Sequence, residues 1–154
     1  EAGSKLSGNG NTNADPEILV AISGLAVSLG AADITDIEFV TTTFSKAAGV
    51  TLTVDVRFNE EVTVTGTPQL TVVNDQRANH TLAYASGSGS NELRFQLAIG
   101  ANNAATNAGD ILSIGANAMA LNGGTVKDKG TNTNSTITNA ASIGTAAGTI
   151  TVAA

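Results

Sequence analysis

Apolar and polar side chains alternate along residues 50–58, which read VTLTVDVRF. A period of two predicts a β-strand with one face turned toward a core. The segment 92–99, ELRFQLAI, repeats the pattern. The residues predicted to face inward are Val50, Leu52, Val54, Val56, Phe58, Leu93, Phe95, Leu97 and Ile99.

Shorter segments of the same kind occur along the chain, and turn-forming residues separate them. The further predicted strands are 34–44, 69–73, 80–85, 111–114 and 148–152. Asn, Gly, Asp and Ser are concentrated in the predicted turns between the strands, which are 58–61, 74–79, 86–91, 101–110 and 121–124. Strands at intervals of roughly 8–15 residues, without a sustained helical period, predict an all-β fold, an Ig-like antiparallel β-sandwich of the Greek-key type.

Residues 62–74, VTVTGTPQLTVVN, predict a corner between two strands. Val62 and Val64 are expected to end one strand, and Leu70 and Val72 to begin the inward face of the next. Pro68 has no N–H group to donate, so it suits the first position of a strand or a sheet edge. No residue of this corner can act alone as an acid, a base or a nucleophile, and its predicted role is architectural.

The first 30 residues differ in composition from the rest of the chain. Residues 1–15 are rich in Gly, Ser and Asn, and they are predicted to form a flexible arm because they offer little apolar surface to bury. Residues 16–154 are predicted to form a single domain. Its apolar stretch 18–29 has no clear period, which fits a strand buried on both faces or a short helix.

Composition and charge exclude several classes of function. The chain has 154 residues, which suits one domain, and it contains no cysteine, which excludes disulfides and thiolate chemistry. The net charge is −6 and the seven Lys and Arg residues are scattered, so nucleic acid is not an expected partner, because phosphate binding needs a clustered basic surface. The longest apolar run, 18–29, is shorter than the roughly 20 residues that span a bilayer, so no membrane insertion is expected.

Candidate catalytic groups are few. His80 is the only histidine and is expected to be an ordinary residue at a strand end, since no serine lies in a G-x-S-x-G elbow. Glu60 and Glu61 are adjacent, so in a strand they point to opposite faces, whereas paired-carboxylate hydrolysis needs both at one bond. The segment 87–92, GSGSNE, lacks the lysine and the following helix of a phosphate-binding loop. No catalytic residue and no cofactor are therefore predicted.

Acidic side chains in and beside the predicted loops are candidates for a calcium site, because hard cations take carboxylate and carbonyl oxygens. None has the D-x-[DN]-x-[DN]-G spacing of a dedicated calcium loop, and ordinary turn-stabilising roles are the alternative. The calcium candidates are Asp33, Asp36, Asp75, Asp110 and Asp128.

Three longer segments carry a recognisable string of motifs. They are VRFNEEVTVTGTPQLTVV (56–73), LAYASGSGSNELRFQLAIG (82–100) and MALNGGTVKDKGTN (119–132). Together they resemble one copy of a bacterial Ig-like surface repeat, of the type found in cyanobacterial cell-surface motility proteins and in virion structural proteins of marine phages. The resemblance covers about residues 34–140. It implies an Ig-like fold, and the family has no shared catalytic residues to carry over.

The resemblance favours a non-enzymatic structural protein. The module occurs once here, whereas it recurs in tandem in the surface proteins, and this favours a surface-displayed assembly subunit, such as a phage virion or capsid decoration (cement) or fibre-associated protein. Expected partners are capsid or other virion subunits, or further copies of the chain, and the expected location is the virion surface. An apolar strand beside a flexible leader could complete a neighbour's sheet edge, with packing on its own sandwich as the alternative. The predicted docking residues are Ile18, Leu19, Val20, Ile22, Leu25, Val27 and Leu29.

A second hypothesis is an Ig-like adhesin or extracellular-matrix module on a bacterial cell surface. In that case the loops 74–80 and 86–91 would meet a glycan or protein on a host surface. A carbohydrate-active enzyme or binding domain is a third class. It needs aromatic platforms for sugar rings, and the chain has no Trp and one Tyr.

Overall fold

The computed structural model describes residues 30–101 and 105–154, and most of their regular structure is β-strand. Within these residues, ten strands and one short helix, α1, follow one another. In chain order they are β1 (Ile34–Phe39), β2 (Phe44–Ser45), β3 (Val50–Thr65), β4 (Gln69–Asn74), β5 (His80–Ser86), β6 (Ser90–Ile99), β7 (Ile111–Ser113), β8 (Met119–Ala120), β9 (Thr125–Asp128), α1 (Ala141–Ala146) and β10 (Thr149–Ala153). The predicted all-β fold is confirmed, while the Ig-like, Greek-key topology stays a prediction.

Two predicted features of the N-terminal region lie outside the described residues. These are the flexible arm, residues 1–15, and the apolar stretch 18–29 with its docking residues. Residues 31–154 form one compact unit.

The strands form a curled sheet in the order β1-β3-β6-β5-β4-β7-β10-β2. Neighbours on this path are antiparallel, except β10 and β2, which are parallel. Two strands pair outside the path, β8 with β4 and β9 with β3. The long strand β3 changes partners: its first half pairs with β1 and β6, and Val62–Thr65 pairs with β9. A register shift between Arg57 and Val62 separates the halves, and such irregularities bend a strand.

The core consists mainly of the inward faces that the period of two predicts. Val50 and Leu97 are only partly buried and pack against its margin. Val62, Leu70 and Val72 are fully buried on either side of the predicted corner at 62–74. The other inward residues, each at most 2% exposed, are Leu52, Val54, Val56, Phe58, Leu93, Phe95 and Ile99.

The predicted turn at 58–61 is wrong, because β3 continues through it. The backbone there finds partners from distant parts of the chain. The Asn59 N–H donates to Asp33 O at 3.0 Å, and the Lys129 N–H donates to Glu61 O at 2.8 Å. These hydrogen bonds hold an extended conformation that the turn-like composition of Asn59, Glu60 and Glu61 does not favour by itself.

The predicted single strand at 34–44 is also wrong, because β1 ends at Phe39 and β2 begins at Phe44. Backbone N–H groups of both Val40 and Thr41 donate to Thr53 O, which breaks the regular ladder. The Thr41 hydroxyl then forms the hydrogen bonds to the β3 backbone that a regular strand would make with its own backbone. It donates to Thr51 O at 3.0 Å and accepts from the Thr53 N–H at 2.9 Å. Two side-chain hydrogen bonds of Thr41 therefore replace the backbone pairing of a regular strand at this point.

Candidate functional site

The motifs behind the family resemblance meet at one end of the sheet. The corner 65–68 and the turn 121–124 contact each other through their glycines: a Cβ atom on Gly124 would lie 2.3 Å from Thr65 O. The hydroxyls of Thr65 and Thr125 share a hydrogen bond of 2.7 Å. The Asn122 side chain donates to Thr67 O at 3.1 Å. These motif residues therefore join two turns.

The Ser-Gly-Ser-Gly turn at 86–89 is attached to the same end. The Tyr84 hydroxyl accepts from the Ser88 N–H at 2.8 Å, and the Ser88 hydroxyl accepts from the Val64 N–H at 2.9 Å. The Gly89 N–H donates to Val62 O at 2.8 Å. The turn is thus bonded to the second half of β3.

The two loops of the adhesin hypothesis lie at opposite ends of β5, because one precedes His80 and the other follows Ser86. Seven residues of strand separate them, which is about 20 Å at 3.3 Å per residue. One compact ligand cannot bridge both loops.

A polar network centred on a buried carboxylate lies at the end of β4 opposite the corner. We call it the Asp110 network: Asn74, Arg77, Asn107 and Asp110. Asp110 is 3% exposed, and its Oδ2 accepts from Asn74 Nδ2 at 2.9 Å and from the Asn107 N–H at 2.8 Å. Arg77 Nε lies 3.3 Å from the same oxygen. Burial raises the pKa of Asp110, but these hydrogen bonds and Arg77 outweigh it, so the pKa lies below its usual value.

His80 borders this network. It is 3% exposed, and its Nε2 lies 3.0 Å from the Thr106 hydroxyl. Burial lowers the pKa of His80, against a smaller opposing effect of the negative Asp110. The histidine is the first residue of β5, as the sequence predicts, and its ring fastens residue 106 to the sheet.

Asp36 and Asp75, two of the calcium candidates, have partners elsewhere. Asp36 lies 3.7 Å from an Arg57 guanidinium nitrogen, in a group that also includes Glu38 and Glu92. Asp75 accepts from the Ile111 N–H at 2.8 Å and from the Gln76 side chain at 3.0 Å. The first of these bonds is the main reason that the pKa of Asp75 is lowered. Both carboxylates therefore have structural partners.

Asp128 differs from the other candidates because one of its buried carboxylate oxygens has no hydrogen-bond donor while Glu60 is ionised. It is 1% exposed. Its Oδ1 accepts from the Thr131 N–H at 2.6 Å and from the Thr131 hydroxyl at 3.0 Å, whereas its buried Oδ2 has no hydrogen-bond partner. Asp128 is thus a buried carboxylate, and one of its oxygens depends on a neighbouring acid or a cation for a partner.

Glu60 lies against this carboxylate. The pKa of Glu60 is raised, first because a protonated Glu60 donates a hydrogen bond to Asp128, then by burial and by the charges of Asp128 and Asp33. The same hydrogen bond, followed by that from the Thr131 N–H, lowers the pKa of Asp128. We call these two residues the Glu60–Asp128 pair.

The structure brings only some of the acidic candidates together. Asp33 and Asp128 lie near Glu60, while Asp36 lies with Arg57, and Asp75 and Asp110 at the other end of β4. No group of three or more His, Asp or Glu side chains within residues 30–101 and 105–154 is arranged to hold a metal ion.

Glu60 belongs to a predicted turn by its sequence, whereas in the structure it lies within β3. The signal was present in the spacing, because Phe58, Glu60 and Val62 have the same parity in one strand and therefore share a face. Phe58 and Val62 are buried, so Glu60 points to the core side at its margin, where it is partly exposed.

Comparison with family models, curated proteins and solved structures gives no match for this chain. In the part of the chain that the structure describes, no helix is long and apolar enough to cross a membrane.

Proposed function

We propose that this chain is a non-enzymatic structural subunit displayed on the surface of an assembled particle, as a virion decoration (cement) or fibre-associated protein. The observation that carries the proposal is that residues of the family-like motifs hold the module's own turns and strands together. Gly66, Gly124, Tyr84 and Ser88 are used in contacts between turns and strands. A module whose distinctive residues stabilise its own turns suits a rigid building block.

The Asp110 network supports the same proposal. Its buried groups are satisfied by one another, and such closed networks rigidify a fold. His80 is occupied by Thr106, so this cluster acts as a structural element in the proposed role.

The proposed docking element is the apolar stretch Ile18–Leu29, as the sequence predicts. An open sheet edge on a neighbouring subunit is a suitable acceptor, because an added strand makes main-chain hydrogen bonds along its length. Among the described residues, the six-residue strand β1 stands at one end of the strand order, and we propose its outer edge as the acceptor. Repetition of modest contacts over a particle surface then supplies the avidity.

Light scattering tests the proposal on the full chain and on a chain that begins at Ala31. We expect the full chain to self-associate with increasing concentration and the shorter chain to remain a monomer. A matched control is the full chain with Val20→Lys and Ile22→Lys, which keeps the length and adds charge to the predicted strand. Monomers at all concentrations for the unmodified full chain would contradict self-assembly. Unchanged association of the lysine variant would contradict the assignment of 18–29.

A further inference from the structure

The Glu60–Asp128 pair leaves buried negative charge without compensation. No ion pair among the described residues includes either carboxylate. Lys127 and Lys129 flank Asp128 in the sequence. Lys129 is bound to Glu61 and to Gly89 O instead, and Lys127 is in none of the ion pairs among the described residues. Two adjacent carboxylates repel each other when both are ionised, and burial makes the repulsion more costly.

Two unpartnered atoms mark the same face of one hairpin. The strand β9 pairs with residues 133–135, because the Asp128 N–H donates to Thr133 O and the Ser135 N–H donates to Val126 O. In that register, Asp128 and Ser135 lie on one face. Asp128 Oδ2 and Ser135 Oγ are the two buried side-chain atoms without a hydrogen-bond partner among the described residues. One of these unsatisfied atoms, Asp128 Oδ2, belongs to the carboxylate that Glu60 contacts.

We propose that Glu60 and Asp128 bind a divalent cation, calcium by its preference for hard oxygen ligands. The cation would sit between Asp128 Oδ2 and the Glu60 carboxylate, with Asp33 adding negative charge nearby. Because only two carboxylates converge, carbonyl oxygens and water complete the set of about six to eight ligands that calcium takes. The partly exposed Glu60 gives the ion access from solvent.

Asp110 provides an internal comparison. It is also a buried carboxylate, but its Oδ2 already has two hydrogen bonds and an arginine. No donor reaches Asp128 Oδ2 while Glu60 is ionised. The two sites therefore differ in this unsatisfied acceptor oxygen, because the two carboxylates are similarly buried, at 3% and 1% exposed.

Calorimetric melting of the full chain, stripped with a chelator and titrated with CaCl₂ at pH 7.5, tests the site. The midpoint temperature of unfolding is expected to rise with calcium concentration until the site is saturated. At a calcium concentration 100 times Kd, the unfolding equilibrium constant is expected to be about 100-fold lower than without calcium. Glu60→Gln is expected to abolish most of this shift. Glu61→Gln is the matched control, because it makes the same charge change at the next residue, and it is expected to keep the shift.

The calcium-free chains give an independent readout. Without calcium, Glu60→Gln is expected to melt above the unmodified chain, because it removes one of two like charges and its amide can donate to Asp128. A calcium-insensitive midpoint, or equal shifts in the two variants, would overturn the site. A midpoint that calcium does not change but that rises on acidification would show that Glu60 and Asp128 share a proton instead of binding a cation. A larger shift with MgCl₂ than with CaCl₂ at equal concentration would overturn the choice of calcium.

Discussion

At the scale of single residues, two buried carboxylates of the same sheet have opposite surroundings. Asp110 is satisfied by Asn74, Asn107 and Arg77, so it stabilises the fold as an anion. Asp128 is also favoured as an anion, because its pKa is lowered, but the pKa of the adjacent Glu60 is raised, so ionisation of Glu60 is a cost until something positive compensates the pair. Whether a buried carboxylate stabilises the fold therefore depends on its hydrogen-bond and charge partners, and burial alone does not determine it.

His80 gives a prediction about pH. Its pKa is below the ordinary value of 6.5 in the folded chain, so on acidification the unfolded chain binds the proton first. The stability that neutral His80 contributes is complete above about pH 6.5 and decreases as the pH falls toward the folded-state pKa. Urea unfolding between pH 7.5 and 5.5 is expected to show this loss in the unmodified chain.

The variant His80→Gln isolates the effect. It removes the only histidine, so its free energy of unfolding should change less over the same pH range, whatever its absolute stability. Equal pH dependence in both chains would show that His80 titrates alike in the folded and unfolded states.

At the scale of elements, close backbone contact lets the corner after β3 meet the turn before β9. The Thr65-Gly66 backbone and Gly124 approach so closely that a side chain on either glycine would clash: a Cβ on Gly66 would lie 2.8 Å from the Gly124 Cα. This contact brings Val62–Thr65 alongside β9. Asp128, the last residue of β9, then pairs with Val62, so the glycine contact indirectly positions the Glu60–Asp128 pair.

Substitution of Gly124 by alanine tests that contact. Its new Cβ would meet Thr65 O at 2.3 Å, and overpacking of this kind costs about 1–3 kcal/mol of unfolding free energy. Gly100→Ala is the control, because a Cβ there meets nothing within 4 Å, and it should be close to neutral. Denaturant unfolding measures both. A Gly124→Ala variant as stable as the Gly100→Ala variant would mean that the two turns can separate without cost.

At the scale of the whole molecule, the sequence predicts those strands whose pattern is set by residues adjacent in the chain. It does not predict features that depend on partners far away in the chain. The inward faces of 50–58 and 92–99 follow from their period alone. The continuation of β3 through Asn59–Glu61 does not, because its partners are Asp33 and Lys129. The Glu60–Asp128 pair joins positions 68 residues apart, so loop composition identified Asp128 as a candidate but could not supply its partner.

The distribution of the core along the chain leads to a prediction about truncation. Among the described residues, the buried apolar core extends from Ala32 to Val152, so a chain that begins at Ala31 is expected to unfold cooperatively in a thermal melt followed by circular dichroism. A chain that begins at Val40 lacks β1 and with it Ile34, Ile37 and Phe39, each at most 7% exposed.

Loss of those three side chains removes about 1.5–3 kcal/mol of burial free energy apiece. This sum is comparable with the roughly 5–15 kcal/mol that stabilises a typical domain, so the chain that begins at Val40 is expected to lack a cooperative transition. A gradual, non-cooperative melt of the chain that begins at Ala31 would show instead that residues 1–30 are needed for folding. In that case the stretch 18–29 would belong to the core, and the assembly role proposed for it would have to be abandoned.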